Sequence, residues 1–284
     1  MQILQLKDGR KLAYDVYGDP KGTPVIFNHG FSDSRLIRNP DNNLTASLGV
    51  RVIAADQPGV GGSSPFRGRK MVDWGKDMEA LADFLQIDRF SVIGHSGGGP
   101  HALSIAYRLP ERVTKIVLAS PVIPLDETGM PALLKNKDLK LIARLHKFPF
   151  LIKWICNFSA RSAIRNINRF MLMCARDDPS DAATLLQDPK RKAMFEASFT
   201  AGMVQGGEGL YEMIMALWDW GFELRNIKTP VKIFYGDTDQ IIDVKMPQKL
   251  NDKLPNSSIH TWPGAGHYGF VRRDCWEELL KACV

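Results

Sequence analysis

The chain opens on alternating apolar and polar positions, 2–6 and 11–17, on either side of Asp8-Gly9, which reads as a two-stranded hairpin. Two short apolar runs follow. Pro24-Val25-Ile26-Phe27 stops at Asn28-His29-Gly30, and 50–55 stops at Asp56-Gln57-Pro58-Gly59, so each reads as a buried strand running into a loop. Between Asp73 and Leu85 the period changes: Trp74, Met78, Leu81, Ala82 and Leu85 share one face of a helix, with Asp73 placed to cap it. Residues 90–93 and 113–118 are again strand-like, with a helical stretch at 100–109 between them. Strands without polar alternation, separated by helices long enough to cross over, predict a mostly parallel sheet covered by helices on both faces.

That rhythm stops at Ser120-Pro121. From about Val122 to Arg225 the apolar spacing is helical, and helices are expected at 133–148, 150–170, 182–203 and 209–218. Strand–helix alternation resumes with a strand at 230–235, a helix at 246–254, a strand at 258–262 and a closing helix. The expected organisation is an α/β core in two parts, 1–121 and 227–284, interrupted by a helical insertion at 122–226. The chain shows no internal repeat.

Composition narrows the field. With 44% hydrophobic and 24% charged residues in 284, the chain has ample material for a core, which excludes wholesale disorder and fibrous repeats. The net charge of +6 is small, and its densest cluster, Lys190-Arg191-Lys192, reads as a solvated helix face, so no nucleic-acid partner is expected. No stretch approaches the roughly 18 consecutive apolar residues of a membrane span, and the N-terminal alternation is unlike an export signal. The four cysteines form neither CxxC nor a metal-ligand spacing. A cytoplasmic protein without a metal site is the expectation.

Gly94-His95-Ser96-Gly97-Gly98 follows the 90–93 strand and precedes a helix, which meets the G-x-S-x-G pattern in its required context. The spacing has a steric cause. A serine on so tight a turn is strained, and side chains two residues away would collide with the turn. Small neighbours let the hydroxyl project above the sheet at a helix N-terminus, where the Gly97 N–H and the helix dipole face a developing oxyanion. A serine nucleophile needs a base. Of the six histidines, His267 lies in Gly264-Ala265-Gly266-His267 after the last strand and suits that role; His29, His95, His101, His146 and His260 read as structural or solvated. The acid that orients the base is expected after the preceding strand, where Asp237, Asp239 and Asp243 all stand and composition does not choose among them.

The order Ser96, aspartate, His267 resembles that of the α/β-hydrolases, and specifically the serine hydrolases with a helical cap inserted after the sixth strand. His29-Gly30-Phe31 resembles the family's oxyanion loop, Asp56 to Ser63 its D-x-x-G-x-G-x-S loop, and Gly236-Asp237-Thr238-Asp239 its G-x-x-D segment. The resemblance covers essentially all core segments. It implies an eight-stranded, mostly parallel sheet and Asp239 as the triad acid, with Asp237 bracing the loop. It also implies an oxyanion hole formed by the backbone N–H groups of Phe31 and Gly97. Asp243 stands where the family often has proline. The Asp56 to Ser63 loop is expected to support the site; it lacks the lysine and spacing of a phosphate cradle.

Such a site would cleave a carboxylic ester or lactone of a small, largely apolar substrate through an acyl-enzyme, without metal or organic cofactor. Thioesterase, cofactor-free perhydrolase and C–C bond hydrolase share the triad. A small-molecule receptor or regulatory protein that retains the triad is the alternative of another class. Seven of the eleven methionines fall in the insertion, and an apolar pocket lined by them is expected above Ser96. Oligomeric state is not legible.

Overall fold

The computed structural model describes residues 1–125 and 129–284. Eight strands form one sheet: β1 (Gln2–Gln5), β2 (Lys11–Gly18), β3 (Thr23–Asn28), β4 (Val50–Ala55), β5 (Phe90–His95), β6 (Val113–Ala119), β7 (Val231–Gly236) and β8 (Ser257–Trp262). Their order across the sheet is β1-β2-β4-β3-β5-β6-β7-β8. β1 and β2 pair antiparallel, as does β2 with β4, and every later pairing is parallel. The parallel register brings the carboxyl ends of β3, β5, β7 and β8 to one edge, so the loops after them share that edge.

Helices cover both faces. Alternate residues of each strand feed different cores: Val92, Ile116 and Leu118 face one way, Ile93, Val117 and Ala119 the other. The first face is covered by α2 (Trp74–Phe84), α3 (Gly98–Arg108) and α10 (Lys245–Lys253), through Trp74, Met78, Leu103 and Met246. The second is covered by α1 (Asn42–Ser47) and α11 (Arg273–Lys281), through Leu44, Trp276 and Leu279.

Between β6 and β7 the α-helices among the described residues are α4 (Lys137–Arg144), α5 (Pro149–Arg165), α6 (Ile167–Ala175), α7 (Pro179–Leu186), α8 (Pro189–Met203) and α9 (Glu208–Met215), and Leu134 forms an isolated bridge with Ile242. Two expected long helices are each broken. Residues 150–170 divide at Asn166, which leaves helical geometry (φ −154°, ψ 83°) and accepts from Arg169 N. Residues 182–203 divide at Asp188-Pro189, where the aspartate caps α8 and the proline takes its first turn. The stretch expected as a helix at 133–148 begins as a 3₁₀ turn, Met130–Leu133, and α4 starts only after its cap, Asn136. Asp73 also departs from expectation. It makes no cap bond to α2; its carboxylate turns back to accept from Lys70 N at 3.0 Å and closes the 3₁₀ turn Met71–Asp73. No helix among the described residues is long and apolar enough to cross a membrane.

A buried ion pair ties the loops behind the sheet edge. Asp56, at the end of β4, accepts from Arg35 N at 2.9 Å, Arg35 Nη1 at 2.7 Å and Gly62 N at 3.0 Å. Arg35 Nε reaches Asp15 Oδ2 on β2 at 2.8 Å. Asp56 is fully buried and Arg35 nearly so, so removing one partner strands the other. Arg35→Met is expected to cost about 3–5 kcal/mol, read as a fall in the urea midpoint at constant m-value. An unchanged midpoint would show that the pair is not holding these loops.

Candidate active site

Ser96 has φ +51°, in the left-handed region, at the turn between β5 and α3. Its backbone is tied down on the β6 side. Ser96 N donates to Ala119 O at 2.9 Å, and Ser96 O accepts from Gly99 N at 3.0 Å and Val122 N at 3.2 Å. The flanking glycines are required by contact. A Cβ on Gly94 would lie 2.5 Å from Gly98 O, and one on Gly98 would lie 2.2 Å from Asn28 O. Across the cleft, a Cβ on Gly30 would stand 3.1 Å from Ser96 Cβ. Asn28 fixes the approach of this loop: it accepts from Trp74 Nε1 at 2.7 Å and donates to Ile93 O at 2.8 Å.

Phe31 lies over the turn, its ring so close to Gly97 that a Cβ there would come within 2.8 Å of it. Among the described residues, neither Phe31 N–H nor Gly97 N–H donates to a protein acceptor. Both therefore retain hydrogen-bonding capacity beside Ser96, and the second sits at the N-terminus of α3, where the helix dipole favours negative charge.

His267 and Asp239 meet in the loops after β8 and β7. His267 Nδ1 donates to Asp239 Oδ2 at 2.8 Å, and Asp239 Oδ1 accepts from Ile241 N at 2.8 Å and Ile242 N at 3.0 Å. The three carboxylates left open by composition thus separate by geometry. Asp237 is exposed and accepts from Gly264 N at 2.8 Å, bracing the loop, while Asp243 accepts from Lys245 N at 2.9 Å. Burial alone raises the Asp239 pKa, but the charge and hydrogen bond of His267 and the two amides outweigh it and hold it below its ordinary value. Burial likewise opposes a charge on His267; Asp239, with Asp181 and Asp33 farther off, prevails and raises its pKa. Ser96, Asp239 and His267 are 5%, 4% and 3% exposed, so their interactions are little screened.

Several groups around the histidine were not foreseen. The N-terminus of α7 clamps its loop. Asp181 accepts from His267 N at 3.1 Å and Tyr268 N at 2.8 Å, and Ser180 Oγ bonds Gly264 O and Gly266 N at 2.8 and 3.1 Å. The fit explains Gly266, whose Cβ would lie 2.4 Å from Asp181 Oδ1. Burial pushes the Asp181 carboxyl up to about 7. On the opposite side His95 Nε2 stands 3.1 Å from His267 O, while Nδ1 is 3.8 Å from the carboxylate of Asp33. Asp33 is buried, and neither of its oxygens has a hydrogen-bond partner among the described residues. The Asp178-Pro179 helix start was readable in sequence; the backbone it would grip, some 86 residues away, was not.

The other histidines have structural partners. His29 Nε2 accepts from Gln57 N at 3.1 Å. His101 accepts from Arg69 Nη1 at 3.1 Å, which leaves its Nδ1–H to donate to Gly97 O at 2.8 Å. His146 stacks on Trp218, and the half-exposed His260 lies 3.5 Å from Glu278. No group of three or more histidine, cysteine or acidic side chains among the described residues could hold a metal ion.

A family model described as "alpha/beta hydrolase fold" matches residues 23–274. The chain belongs to the α/β-hydrolase-fold family. This α/β-hydrolase is 28% identical over 280 residues to a non-heme chloroperoxidase of Streptomyces lividans, covering 94% of this chain and 93% of the relative. It is 27% identical over 276 residues to a bifunctional esterase/perhydrolase of Acinetobacter calcoaceticus, with coverage of 94% and 93%. Its fold matches the crystal structure of a hydrolase from Pseudomonas aeruginosa with TM-score 0.72, at 19% identity and coverage of 98% and 96%.

The electrostatics of the His267 loop yield a measurable expectation. In a histidine NMR titration, His267 should lose its proton above the ordinary value of about 6.5, and Asp239→Asn should move that titration downward. A His267 that titrates at or below the ordinary value, and is indifferent to Asp239→Asn, would contradict the assignment of these interactions.

Proposed function

We propose that this α/β-hydrolase is a serine hydrolase that cleaves carboxylic esters or lactones of small, largely apolar substrates. The observation that carries the reading is the left-handed Ser96 turn at the same sheet edge as the buried His267–Asp239 pair. In this mechanism His267 takes the Ser96 proton as Oγ attacks the carbonyl carbon. The oxyanion accepts hydrogen bonds from Phe31 N–H and Gly97 N–H. His267 then returns the proton to the leaving alcohol, and water activated by the same ring cleaves the acyl-enzyme. Asp239 holds the imidazole tautomer and stabilises the transient imidazolium.

The apolar preference rests on Phe31, which packs from the site against the cap cluster of Ile142, Ile152, Cys156 and Ile214. The methionines contribute less than their number suggested. Met130, Met171, Met203 and Met213 are buried, the first three of them in the main cores, and Met173 is exposed. Met215 is the cap methionine that shares the Phe31 cluster. Perhydrolysis is the second reading, favoured by the name of the bifunctional esterase/perhydrolase to which the chain is similar over nearly its whole length. It needs the same acyl-enzyme, with hydrogen peroxide replacing water and a peracid leaving.

A panel of esters, lactones and thioesters of graded acyl length, run on wild type and Ser96→Ala with and without peroxide, tests both readings. Ser96→Ala is expected to fold and to lose about 10⁴-fold or more in turnover, and a fluorophosphonate should label Ser96 alone. Labelling at another serine, or near-normal turnover in the variant, would sink the proposal.

The two aspartates should separate kinetically. Asp239→Asn should cost on the order of 10⁴ in kcat, whereas Asp237→Asn should act chiefly on stability. Because the base must be neutral, kcat/KM should rise with pH through the elevated His267 value. The reverse ranking of the two variants would reassign the acid.

A further inference from the structure

We propose that the outer face of the cap, built on α4, α5 and α6, is a docking surface for an anionic lipid bilayer. α5 is amphipathic in an unusual sense. Its inner face buries Ile152, Cys156, Ala160 and Ala163, while its outer face carries aromatic side chains. Phe150, Trp154 and Phe158 follow one another at intervals of four residues and are 67%, 67% and 64% exposed, with Phe148 beside them at 52%. Trp154 and Phe158 stack at 5.8 Å. Eight of the fifteen large exposed hydrophobics among the described residues fall between Leu141 and Met173. Isolated exposed apolar groups are ordinary; a ridge of four aromatics on one short segment is not.

Charge identifies the occupant. Residues 137–176 hold nine Lys and Arg against one acidic residue, Asp138, whereas the rest of the chain has 28 basic and 30 acidic residues. Among the described residues, Lys140, Arg144, Lys147, Arg161, Arg165 and Arg169 pair with no carboxylate. Arg161 and Arg165 are exposed and continue the helical face of Phe150, Trp154 and Phe158. Acidic groups near the face are already engaged: Glu208 with Lys153 and Arg67, and Asp138 with Arg176. Aromatics that insert at headgroup depth, flanked by unpaired cations, match a surface with negative headgroups above an apolar layer. A second copy of the chain would bring the same positive charge against itself. The proposal concerns binding and stands whether or not Ser96 is a nucleophile.

The test is flotation of the full chain with unilamellar vesicles of phosphatidylcholine, alone or with about 30% phosphatidylserine. Binding is expected to the mixed vesicles, weakened by salt, and to be slight with phosphatidylcholine alone. Phe150→Ser/Trp154→Ser should weaken binding about tenfold or more. Arg161→Gln/Arg165→Gln should reduce the preference for phosphatidylserine. All four positions point outward, so circular dichroism and the thermal midpoint should stay near wild type. Quenching of wild-type tryptophan fluorescence by brominated lipid needs no variant and should be lost in Trp154→Phe. Absence of flotation, or equal flotation of Phe150→Ser/Trp154→Ser, overturns the proposal. So does a wild-type dimer, seen by sedimentation velocity without vesicle binding, that Phe150→Ser/Trp154→Ser dissociates; that result assigns the face to a second copy.

Discussion

The site depends on three stretches of backbone approaching more closely than side chains permit. The end of β3, the turn at Ser96 and the start of α3 touch through Asn28 O, Gly94 and Gly98, and through Gly30 facing Ser96 Cβ. The left-handed conformation of Ser96 costs about 1–2 kcal/mol relative to right-handed geometry. It persists because its amide and carbonyl are bonded to Ala119, Gly99 and Val122, while glycine at 94, 98 and 30 leaves room for the close approach. From that constraint follow the place of Ser96 at the sheet edge, the contact of the Phe31 ring with Gly97, and the position of Ser96 next to the N-terminus of α3.

The histidine side of the site is built differently. Its loop is held by carboxylates as well as by packing of Ala265, Tyr268 and Phe270 in the core. Asp239 fixes the ring, Asp181 fixes the backbone of His267 and Tyr268, and His95 holds the His267 carbonyl from the other flank. Asp181 belongs to the cap. Thus the insertion reaches the loop of His267 through its backbone amides, and its seating and the position of His267 are one mechanical problem. Asp33, buried and without a hydrogen bond among the described residues, adds negative charge without adding a hold, and it favours an imidazolium on His267.

The sequence made local chemistry legible and left long-range contacts dark. Gly94, Ser96 and Gly98 were readable because their constraint acts within five residues, and the strand runs because burial on both faces leaves no polar alternation. The choice of Asp239 over Asp237 and Asp243 required the resemblance. In the structure it rests on which carboxylate faces the ring, a matter of loop direction that composition does not encode. The breaks at Asn166 and Asp188 were missed because apolar spacing continued across them, although Asp188-Pro189 is a strong helix start. The clamp by Asp181 was illegible because an aspartate in the first turn of a helix already has a local explanation.

Charge in the cap carries the same lesson at larger scale. Summed over 122–225 it is only +2, from 14 basic and 12 acidic residues, and the sum conceals a segregation. Positive side chains gather on α4 to α6 at the outer face, while Asp178 and Asp181 point inward at the loop that bears His267. The separation has opposite consequences at the two faces. Inside, burial pushes the carboxyls of Asp178 and Asp181 up, and the charge of Asp181 favours the proton on His267. Outside, the cations stand in water and are screened within about 8–10 Å, so they act only on a surface that comes into contact. One layer of helices thus sets buried carboxyls against the loop of His267 and salt-screened cations toward its surroundings. Neither property follows from net charge; both follow from which side of a helix each charge occupies.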